Sequence, residues 1–341
     1  MRAIVYDATG GPEVLRLVDR PVPEPGPGEV RVRLVVSGVN PTDWKSRSGA
    51  TSGPLAYPEQ TPHHDGAGVI DAVGPGAAGF AVGDRVWTFL AAASRAGGTA
   101  AEFAVLPVNR VAPLADGASF DVGASLGVPA ITAHRALTVA EDGPARLAPG
   151  ALAGRTVLVA GGAGAVGHAA IQLARWAGGT VIATVSGPAK AALATAAGAH
   201  HVVNYREGDP AAAIRALAPD GVDVVAEVAL AANLALDLAV IRSRATIASY
   251  ADNGGASLTL EVRPNLVLNT RLQFLLLYTV GEAALAAAAE DIGAALADGA
   301  LPVGEEHGLP LVRFGLEATA EAQRAVEAGA VGKVLVDVAP A

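Results

Sequence analysis

Two histidines and an aspartate follow one another in the segment TPHHDGAG, residues 61–68. Imidazole and carboxylate groups are good zinc ligands. The segment therefore indicates either a metal site or the remains of one in a protein that works without metal. A new metal site built from His63, His64, Asp65 and Asp43 is one alternative. The others are a loop whose imidazoles bond the backbone, or a substrate contact made by His64.

A second pattern with chemical meaning is the glycine cluster at residues 162–167, GAGAVG. It follows a predicted buried strand, RTVLVA (155–160), and opens a predicted helix, which is the context of a dinucleotide-binding motif. In such a motif Gly162 permits a tight turn, Gly164 lets the backbone approach a pyrophosphate, and Gly167 lets helix and strand pack closely. The helix N-terminus offers free N–H groups to the phosphates. A glycine-rich turn without a ligand is the alternative. The predicted cofactor-binding residues here are Gly162, Ala163, Gly164, Ala165, Val166 and Gly167.

The residues after the next two strands indicate which dinucleotide binds. An NAD site usually has an acidic residue at the end of the second strand, where it bonds the ribose 2′-hydroxyl. Here the strand TVIATV (180–185) is followed by Ser186, whose hydroxyl can donate to a 2′-phosphate. Lys190 comes shortly after, and Tyr205 and Arg206 end the following strand. These residues predict NADPH; the alternative is that Lys190 and Arg206 are ordinary solvated charges.

The elements that must position these residues fall into three segments. Residues 1–127 consist of short predicted strands separated by Gly and Pro, which is typical of a small barrel-like β domain. In residues 128–281 strands alternate with helices, which predicts an α/β fold with a doubly wound parallel sheet. Residues 282–341 contain two predicted helices and a last strand, and we expect them to return to the first domain.

Composition excludes several kinds of site. The chain of 341 residues has no cysteine, so it has no disulfide, no Cys-type zinc site, no iron–sulfur cluster and no thiol nucleophile. Its formal net charge of −9 disfavours nucleic acid as a partner. The N-terminus lacks the apolar core of a signal peptide, and the run LQFLLLYTV (272–280) is too short to span a bilayer. We therefore expect a soluble cytoplasmic protein.

In their order and spacing, these motifs resemble the medium-chain dehydrogenase/reductase superfamily over essentially the whole chain. The likeness is strongest to its zinc-free quinone oxidoreductases of the zeta-crystallin type. The resemblance implies a GroES-like catalytic domain, residues 1–127 and 282–341, and a Rossmann domain, residues 128–281. The segments that carry it are SGVNPTDWKSRSG (37–49), DGAGVIDAVG (65–74), GDRVWT (83–88), LGVPAITAHRAL (126–137), VLVAGGAGAVGHAAIQLA (157–174), VVNYRE (202–207) and GKVLV (332–336).

The resemblance also bears on the metal question. Zinc alcohol dehydrogenases of the superfamily bind the metal with a Cys, the His of a Gly-His-Glu motif, and a Cys just before the nucleotide domain. The matching positions here hold Asn40, His64 and Val128. Of these, only His64 has a side chain of a type that commonly binds zinc. The resemblance therefore implies that the His-His-Asp segment shapes the cleft, and no metal is expected.

Hydride transfer from NADPH to a quinone or an α,β-unsaturated ketone is the activity that the resemblance implies. Without zinc, preorganised hydrogen-bond donors must stabilise the charge that grows on the acceptor oxygen. Asn40 occupies a zinc-ligand position, so its amide is expected to face the cleft, and Thr132 is expected to contact the nicotinamide carboxamide. Asp43, Lys45 and His64 are the candidates for proton delivery, with water as an alternative donor. Many quinone reductases carry a tyrosine in place of Lys45, which leaves the substrate open.

The apolar segment 272–280 predicts a subunit contact, because an exposed sheet edge of this composition would aggregate. In the family the matching strand pairs across a two-fold axis, so we expect a homodimer, with a tetramer as the alternative. Two other functions stay open. One is a metal-dependent alcohol dehydrogenase with an unusual site; the other is a non-catalytic dinucleotide- or RNA-binding protein, which the acidic charge disfavours.

Overall fold

The computed structural model describes residues 1–50, 55–253 and 255–339. The chain forms two compact units. Unit 1 comprises Met1–Val128 and Leu311–Ala341, and unit 2 comprises Pro129–Pro310. These boundaries differ from the predicted divisions after residues 127 and 281, most of all at the second. The residues that follow 281 pack within unit 2, where the carboxylate of Asp291 lies 2.7 Å from His134 Nε2.

Strands and helices in the described residues are numbered in chain order. The strands are β1 (Arg2–Val5), β2 (Arg16–Asp19), β3 (Glu29–Val39), β4 (Asp65–Val73), β5 (Arg85–Thr88), β6 (Phe103–Pro107), β7 (Val111–Pro113), β8 (Thr156–Ala160), β9 (Thr180–Val185), β10 (His201–Asn204), β11 (Val222–Glu227), β12 (Ile241–Ser249), β13 (Arg271–Phe274), β14 (Leu311–Gly315) and β15 (Lys333–Asp337). The helices are α1 (Pro41–Ser48), α2 (Phe120–Thr138), α3 (Ala165–Trp176), α4 (Pro188–Ala196), α5 (Pro210–Leu217), α6 (Leu230–Val240), α7 (Val262–Leu268), α8 (Glu282–Ala297) and α9 (Thr319–Glu327). None of these helices is both long and apolar enough to cross a membrane.

Unit 1 is built around the long strand β3. Its alternating sequence directs Val30, Val32 and Leu34 into the core, where all three are fully buried. The sheet runs in the order β14-β15-β3-β4-β5-β7, and β6 also pairs with β3. Strand β15 pairs antiparallel with β3, with Val334 opposite Val39. The last strand of the chain therefore starts beside the C-terminal end of β3, where Asn40 begins helix α1.

Unit 2 contains a six-stranded sheet in the order β10-β9-β8-β11-β12-β13, and all of its neighbouring strands are parallel. The central strands are continuous apolar runs because helices cover both faces of such a sheet. The predicted doubly wound parallel sheet is confirmed. One strand is shorter than expected: the run 272–280 forms a strand only as far as Phe274 and then turns into a short 3₁₀ helix, Leu277–Thr279.

A pair of buried carboxyl groups lies where β11 ends. Glu227 is fully buried, and its carboxylate accepts from the backbone N–H of Ala229 and, at 3.0 Å, from Asn233 Nδ2. Asp237 on α6 is buried beside it. Burial, and next the negative charge of Glu227, raise the pKa of Asp237 to about 9. Asp237 therefore carries the proton of the pair at neutral pH and donates it to Glu227.

This shared proton predicts a loss of stability with rising pH. An aspartate in the unfolded chain titrates at about 3.9, so folding takes up a proton between about pH 4 and pH 9. The free energy of unfolding should fall across that window. Asp237→Asn keeps a donor towards Glu227 but does not titrate. We expect it to stabilise the protein by about 1–3 kcal/mol at pH 8, with the gain vanishing towards pH 4.

The measurement is urea unfolding at a series of pH values. The exposed Asp220 provides the matched control, Asp220→Asn, which should leave the pH profile as it is. A profile for Asp237→Asn that runs parallel to that of the wild type would contradict the assignment.

Candidate active site and dinucleotide-binding turn

A cluster of three buried polar side chains lies in unit 1 where three segments meet. Asn40 follows β3, Asp65 begins β4, and Lys333 begins β15; they are 2%, 0% and 1% exposed. The Lys333 ammonium donates to Asn40 Oδ1 at 2.8 Å and to Asp65 Oδ2 at 3.3 Å. Asn40 Nδ2 donates to the same Asp65 oxygen at 2.7 Å. The three groups therefore close a triangle of hydrogen bonds, which we call the Lys–Asn–Asp triangle.

The carboxylate of Asp65 is the acceptor of this triangle. Its second oxygen, Oδ1, accepts from the backbone N–H of Val128 at 2.8 Å. Burial raises the pKa of Asp65, whereas Lys333, Asn40 and the Val128 N–H favour the ionised form. Burial likewise lowers the pKa of Lys333, and the neighbouring carboxyl groups oppose that shift. We take the pair as ammonium and carboxylate because the three groups bonded to the Asp65 oxygens are all donors.

Asp43 is a second buried carboxyl group next to the triangle. Its Oδ2 accepts from the Asn40 backbone N–H at 2.7 Å, a bond that ties the first turn of α1 to its N-cap. Burial and, to a lesser extent, the charge of Asp65 raise the pKa of Asp43 well above its usual value. Asp43 Oδ1 lies 4.0 Å from His64 Nε2, and burial lowers the pKa of His64 to about 4. Burial therefore favours the protonated form of Asp43 and the neutral form of the neighbouring imidazole.

His63 belongs to a different set of contacts. Its backbone has a φ of 78°, which is uncommon for a residue other than glycine. Gln323 Nε2 lies 3.2 Å from His63 Nε2, and Arg47 Nε donates to Gln323 Oε1 at 2.7 Å. Because Arg47 can only donate, the amide group of Gln323 must donate to His63 Nε2. The ring proton of His63 therefore sits on Nδ1.

The same chain of bonds continues from His63 to the backbone of Asp65. His63 Nδ1–H donates to Ser37 Oγ at 3.0 Å, Ser37 lies 2.8 Å from Thr99 Oγ1, and Thr99 donates to the Asp65 carbonyl at 2.6 Å. Burial first, then electrostatic interaction with His64 and with Lys333, lowers the pKa of His63 to about 3. His63 is thus a neutral link that holds Asp65 in place, with both ring nitrogens engaged.

The glycine motif occupies the turn between β8 and α3 of unit 2. Gly161 has a φ of 69°, so the left-handed residue of this turn directly precedes Gly162, to which the sequence analysis assigns the tight turn. At Gly162 the missing Cβ serves packing, since a Cβ there would lie 2.8 Å from Ala183 Cβ. A Cβ on Gly167 would lie 2.4 Å from the Gly161 carbonyl oxygen, whereas one on Gly164 would meet only that oxygen, at 3.5 Å. Close packing at Gly167 and open space over Gly164 match the predicted roles of these two residues.

The other predicted cofactor residues lie at the carboxyl ends of β9 and β10. Ser186 directly follows β9, and Tyr205 follows β10 and bonds the Val185 carbonyl through its N–H at 3.0 Å. Arg206 is exposed next to Tyr205, and Lys190 is exposed in the first turn of α4. The structure thus brings Ser186 and Tyr205 to one edge of the sheet, which is the edge where parallel α/β sheets bind ligands. No acidic residue follows β9 before α4 begins.

Comparison with known proteins connects both units to one family. The model of the alcohol dehydrogenase GroES-like domain matches residues 26–116, and that of the zinc-binding dehydrogenase matches residues 165–292. The quinone oxidoreductase of Rattus norvegicus is 37% identical over 80% of this chain and 76% of its own length. This chain belongs to the quinone oxidoreductases of the medium-chain dehydrogenase/reductase superfamily. It is therefore an oxidoreductase, and the predicted resemblance and the predicted fold class, a GroES-like domain plus a Rossmann domain, are confirmed.

Two solved structures show how far this likeness extends in three dimensions. A mycobacterial protein whose structure was solved in complex with NADPH is 31% identical, with a TM-score of 0.80 over 98% of this chain and 99% of that chain. A protein described as an NAD-dependent alcohol dehydrogenase is also 31% identical, with a TM-score of 0.84 over 99% and 100%. The shared architecture thus includes proteins with different cofactors; for this chain the predicted NADPH is confirmed by the NADPH-bound relative and the dinucleotide-binding domain.

Two positions that match zinc ligands of the dehydrogenases, Asn40 and Val128, take part in the hydrogen bonds of Asp65. In this chain Asn40 is bonded within the triangle, and the Val128 position contributes only its backbone N–H, to Asp65. Within residues 1–50, 55–253 and 255–339, no group of three or more His, Cys, Asp or Glu side chains is arranged to hold a metal ion.

The structure adds two residues that the sequence did not single out. Lys333 stands in the motif GKVLV, which contributes only to the resemblance. A lysine at the start of a buried apolar strand is a sequence feature that indicates a buried charge. Gln323 gave no signal, because it lies 260 residues from His63. Of the remaining predicted site residues, Lys45 is half-buried on α1, the helix of Asp43, and Thr132 is 8% exposed on α2 within unit 2.

Proposed function

We propose that this oxidoreductase transfers hydride from NADPH to a quinone or an α,β-unsaturated carbonyl compound, without a metal ion. One observation carries the proposal: the groups at two of the three zinc-ligand positions are committed to other bonds. Asn40 is held by Lys333 and Asp65, and Val128 offers only a backbone N–H. A cation that is already present, the Lys333 ammonium, supplies positive charge at that place. The partners of this protein are small conjugated carbonyl acceptors, with no role for nucleic acid, and its proposed location is the cytoplasm.

NADPH fits unit 2 better than NADH does. Ser186 replaces the acid that would repel a 2′-phosphate, and Lys190 and Arg206 supply exposed positive charge near the same edge. Gly164 leaves open space for a pyrophosphate at the start of α3. The mycobacterial relative solved with NADPH supports the same choice. When bound, the cofactor supplies the hydride; the protein must bind it, orient it and provide the proton that the reduced acceptor needs.

Unit 1 contains a source for that proton. Burial and the charge of Asp65 raise the pKa of Asp43, which favours its protonated form and makes Asp43 the proposed proton donor. His64 lies 4.0 Å from it and is neutral, so an imidazole can pass a proton along without holding one. Asn40 has a second amide hydrogen beyond the one bonded to Asp65, and that donor can stabilise the charge on the acceptor oxygen. Lys45 and Thr132 keep their predicted roles as proton donor and carboxamide contact.

The first test is oxidation of NADPH by chelator-treated protein in the presence of simple quinones and enones, with NADH in parallel. We expect turnover with NADPH that the chelator does not reduce and that added zinc does not raise. Turnover only after zinc is restored would favour a metal-dependent alcohol dehydrogenase, as the likeness to that structure allows. Binding of NADPH without oxidation by any acceptor would instead favour a non-catalytic dinucleotide-binding protein.

The cofactor preference gives a separate prediction. Lys190→Ala removes one charge-assisted contact with a solvated 2′-phosphate, so we expect the NADPH dissociation constant to rise by about five- to tenfold. The NADH constant should stay within about twofold, because NADH lacks that phosphate. Both constants can be measured by quenching of protein fluorescence. Lys190→Arg is the matched control and should bind NADPH nearly as the wild type does. Equal losses for the two dinucleotides would remove Lys190 from the phosphate site.

We also propose that the protein is a homodimer. The argument comes from the edge of the sheet in unit 2. Strand β13 is the last strand of that sheet, and its neighbourhood exposes large apolar side chains that a monomer would leave in water. Phe274 is 66% exposed and Leu276 is 57% exposed. On α7 beside them, Val262 and Leu266 are 70% and 62% exposed. Pairing of β13 with the same strand of a second copy would cover this surface.

The dimer is tested by the variant Phe274→Asp. A charge at the paired edge should convert the dimer into a monomer in sedimentation velocity, while the far-ultraviolet circular dichroism stays that of the wild type. Leu217→Asp is the matched control, because Leu217 is 40% exposed on α5 and should not affect the assembly. A wild-type tetramer that Phe274→Asp splits into dimers would place a second interface elsewhere. A wild-type monomer would end this part of the proposal.

A further inference from the structure

Lys333 reaches the site through features that are specific to the start of β15. Gly332 precedes it with a φ of 101°, a left-handed conformation that a residue with a side chain rarely adopts. On the facing strand, Gly38 leaves room for the lysine stem: a Cβ there would lie 3.0 Å from Lys333 Cε and 2.0 Å from the Ala124 carbonyl oxygen. The side chain thereby passes over Gly38 and ends against Asn40 and Asp65, and Lys333 is 1% exposed.

The contacts of Lys333 fix the orientation of the Asn40 amide. An ammonium group can only donate and a carboxylate can only accept. Asn40 Oδ1 must therefore face Lys333, at 2.8 Å, and Nδ2 must face Asp65, at 2.7 Å. A flipped amide would place its NH₂ against the ammonium and its oxygen against the carboxylate, replacing two attractive contacts with two repulsive ones. The second hydrogen on Asn40 Nδ2 consequently points in one direction. Lys333 sets that direction and need not touch the substrate itself.

We propose that Lys333 is the positioning residue of this enzyme: its buried ammonium locks the Asn40 amide, through the Lys–Asn–Asp triangle, so that one N–H is aimed at the acceptor oxygen. The inference rests on the proposed hydride transfer. A role in stability alone does not require an ion pair here. Well-packed apolar residues commonly replace a buried ion pair without loss of stability, whereas removal of a single partner leaves an uncompensated charge.

The test compares Lys333→Met with the double variant Lys333→Met/Asp65→Asn. The single variant keeps the volume of the side chain but leaves the Asp65 carboxylate buried without its cationic partner. Its melting temperature should therefore fall. The double variant removes both charges, and the amide oxygen introduced at position 65 can still accept from Val128, so its melting temperature should return towards that of the wild type. If Lys333 positions Asn40, kcat should stay about 100-fold below the wild type in both variants, the size of effect that a misplaced group produces.

Further readouts separate positioning from structure. The NADPH dissociation constant, a property of unit 2, should stay within about twofold of the wild type in each variant. With NADPH deuterated at the transferred hydrogen, the isotope effect on kcat should be at least as large as in the wild type, because the hydride step then limits turnover. Lys333→Arg retains the charge and should recover part of kcat.

The outcomes distinguish this inference from the proposed function. A wild-type protein that oxidises no NADPH with any quinone or enone rejects the function itself. An active wild type whose Lys333→Met/Asp65→Asn variant has full kcat and normal stability overturns the positioning role alone. Failure of both methionine variants to fold also overturns it, since it would assign Lys333 a structural role.

Discussion

The carboxylate of Asp65 is the interaction on which unit 1 depends. It is fully buried, and it accepts from Asn40, Lys333 and the backbone of Val128, which belong to three distant parts of the chain. A desolvated carboxylate is costly unless its oxygens are satisfied, so none of the three donors can move away without a large loss of stability. One small side chain thereby fixes the end of β3, the start of β15 and the middle of α2 with respect to each other.

This arrangement also gives the two neighbouring carboxyl groups, Asp65 and Asp43, different protonation preferences. One ammonium lies near two carboxyl groups and donates to only one of them, Asp65. Its charge favours the ionised form of Asp65, whereas burial and the charge of Asp65 raise the pKa of Asp43 and favour its protonated form. The imidazoles of His63 and His64 are pushed towards neutrality by the same burial. Two neighbouring carboxyl groups whose surroundings favour different protonation states are suited to proton transfer.

Local patterns made part of this site predictable. The GxGxxG motif, Ser186 and Asn40 were found because their meaning depends on neighbours within one turn or one strand. Lys333 and Gln323 were not, because their partners lie at sequence separations of 268 and 260 residues, and spacing carries no information at that range. The sequence does not show that the positive φ of this turn belongs to Gly161, next to Gly162. The predicted division after residue 281 differs from the unit boundary after Pro310, because α8 has no sequence feature that shows which sheet it packs on.

The late position of β15 has a consequence for how the chain is made. Asp65 and Lys333 are separated by 268 residues, so a ribosome that adds about 5–20 residues per second needs about 13–54 seconds between them. Unit 2 is a continuous segment and can fold during that interval. Unit 1 cannot complete its sheet, because β15 lies between β14 and β3. The nascent chain therefore exposes a solvated Asp65 and an incomplete edge of β3 until its last strand arrives, and chaperones have that interval in which to act.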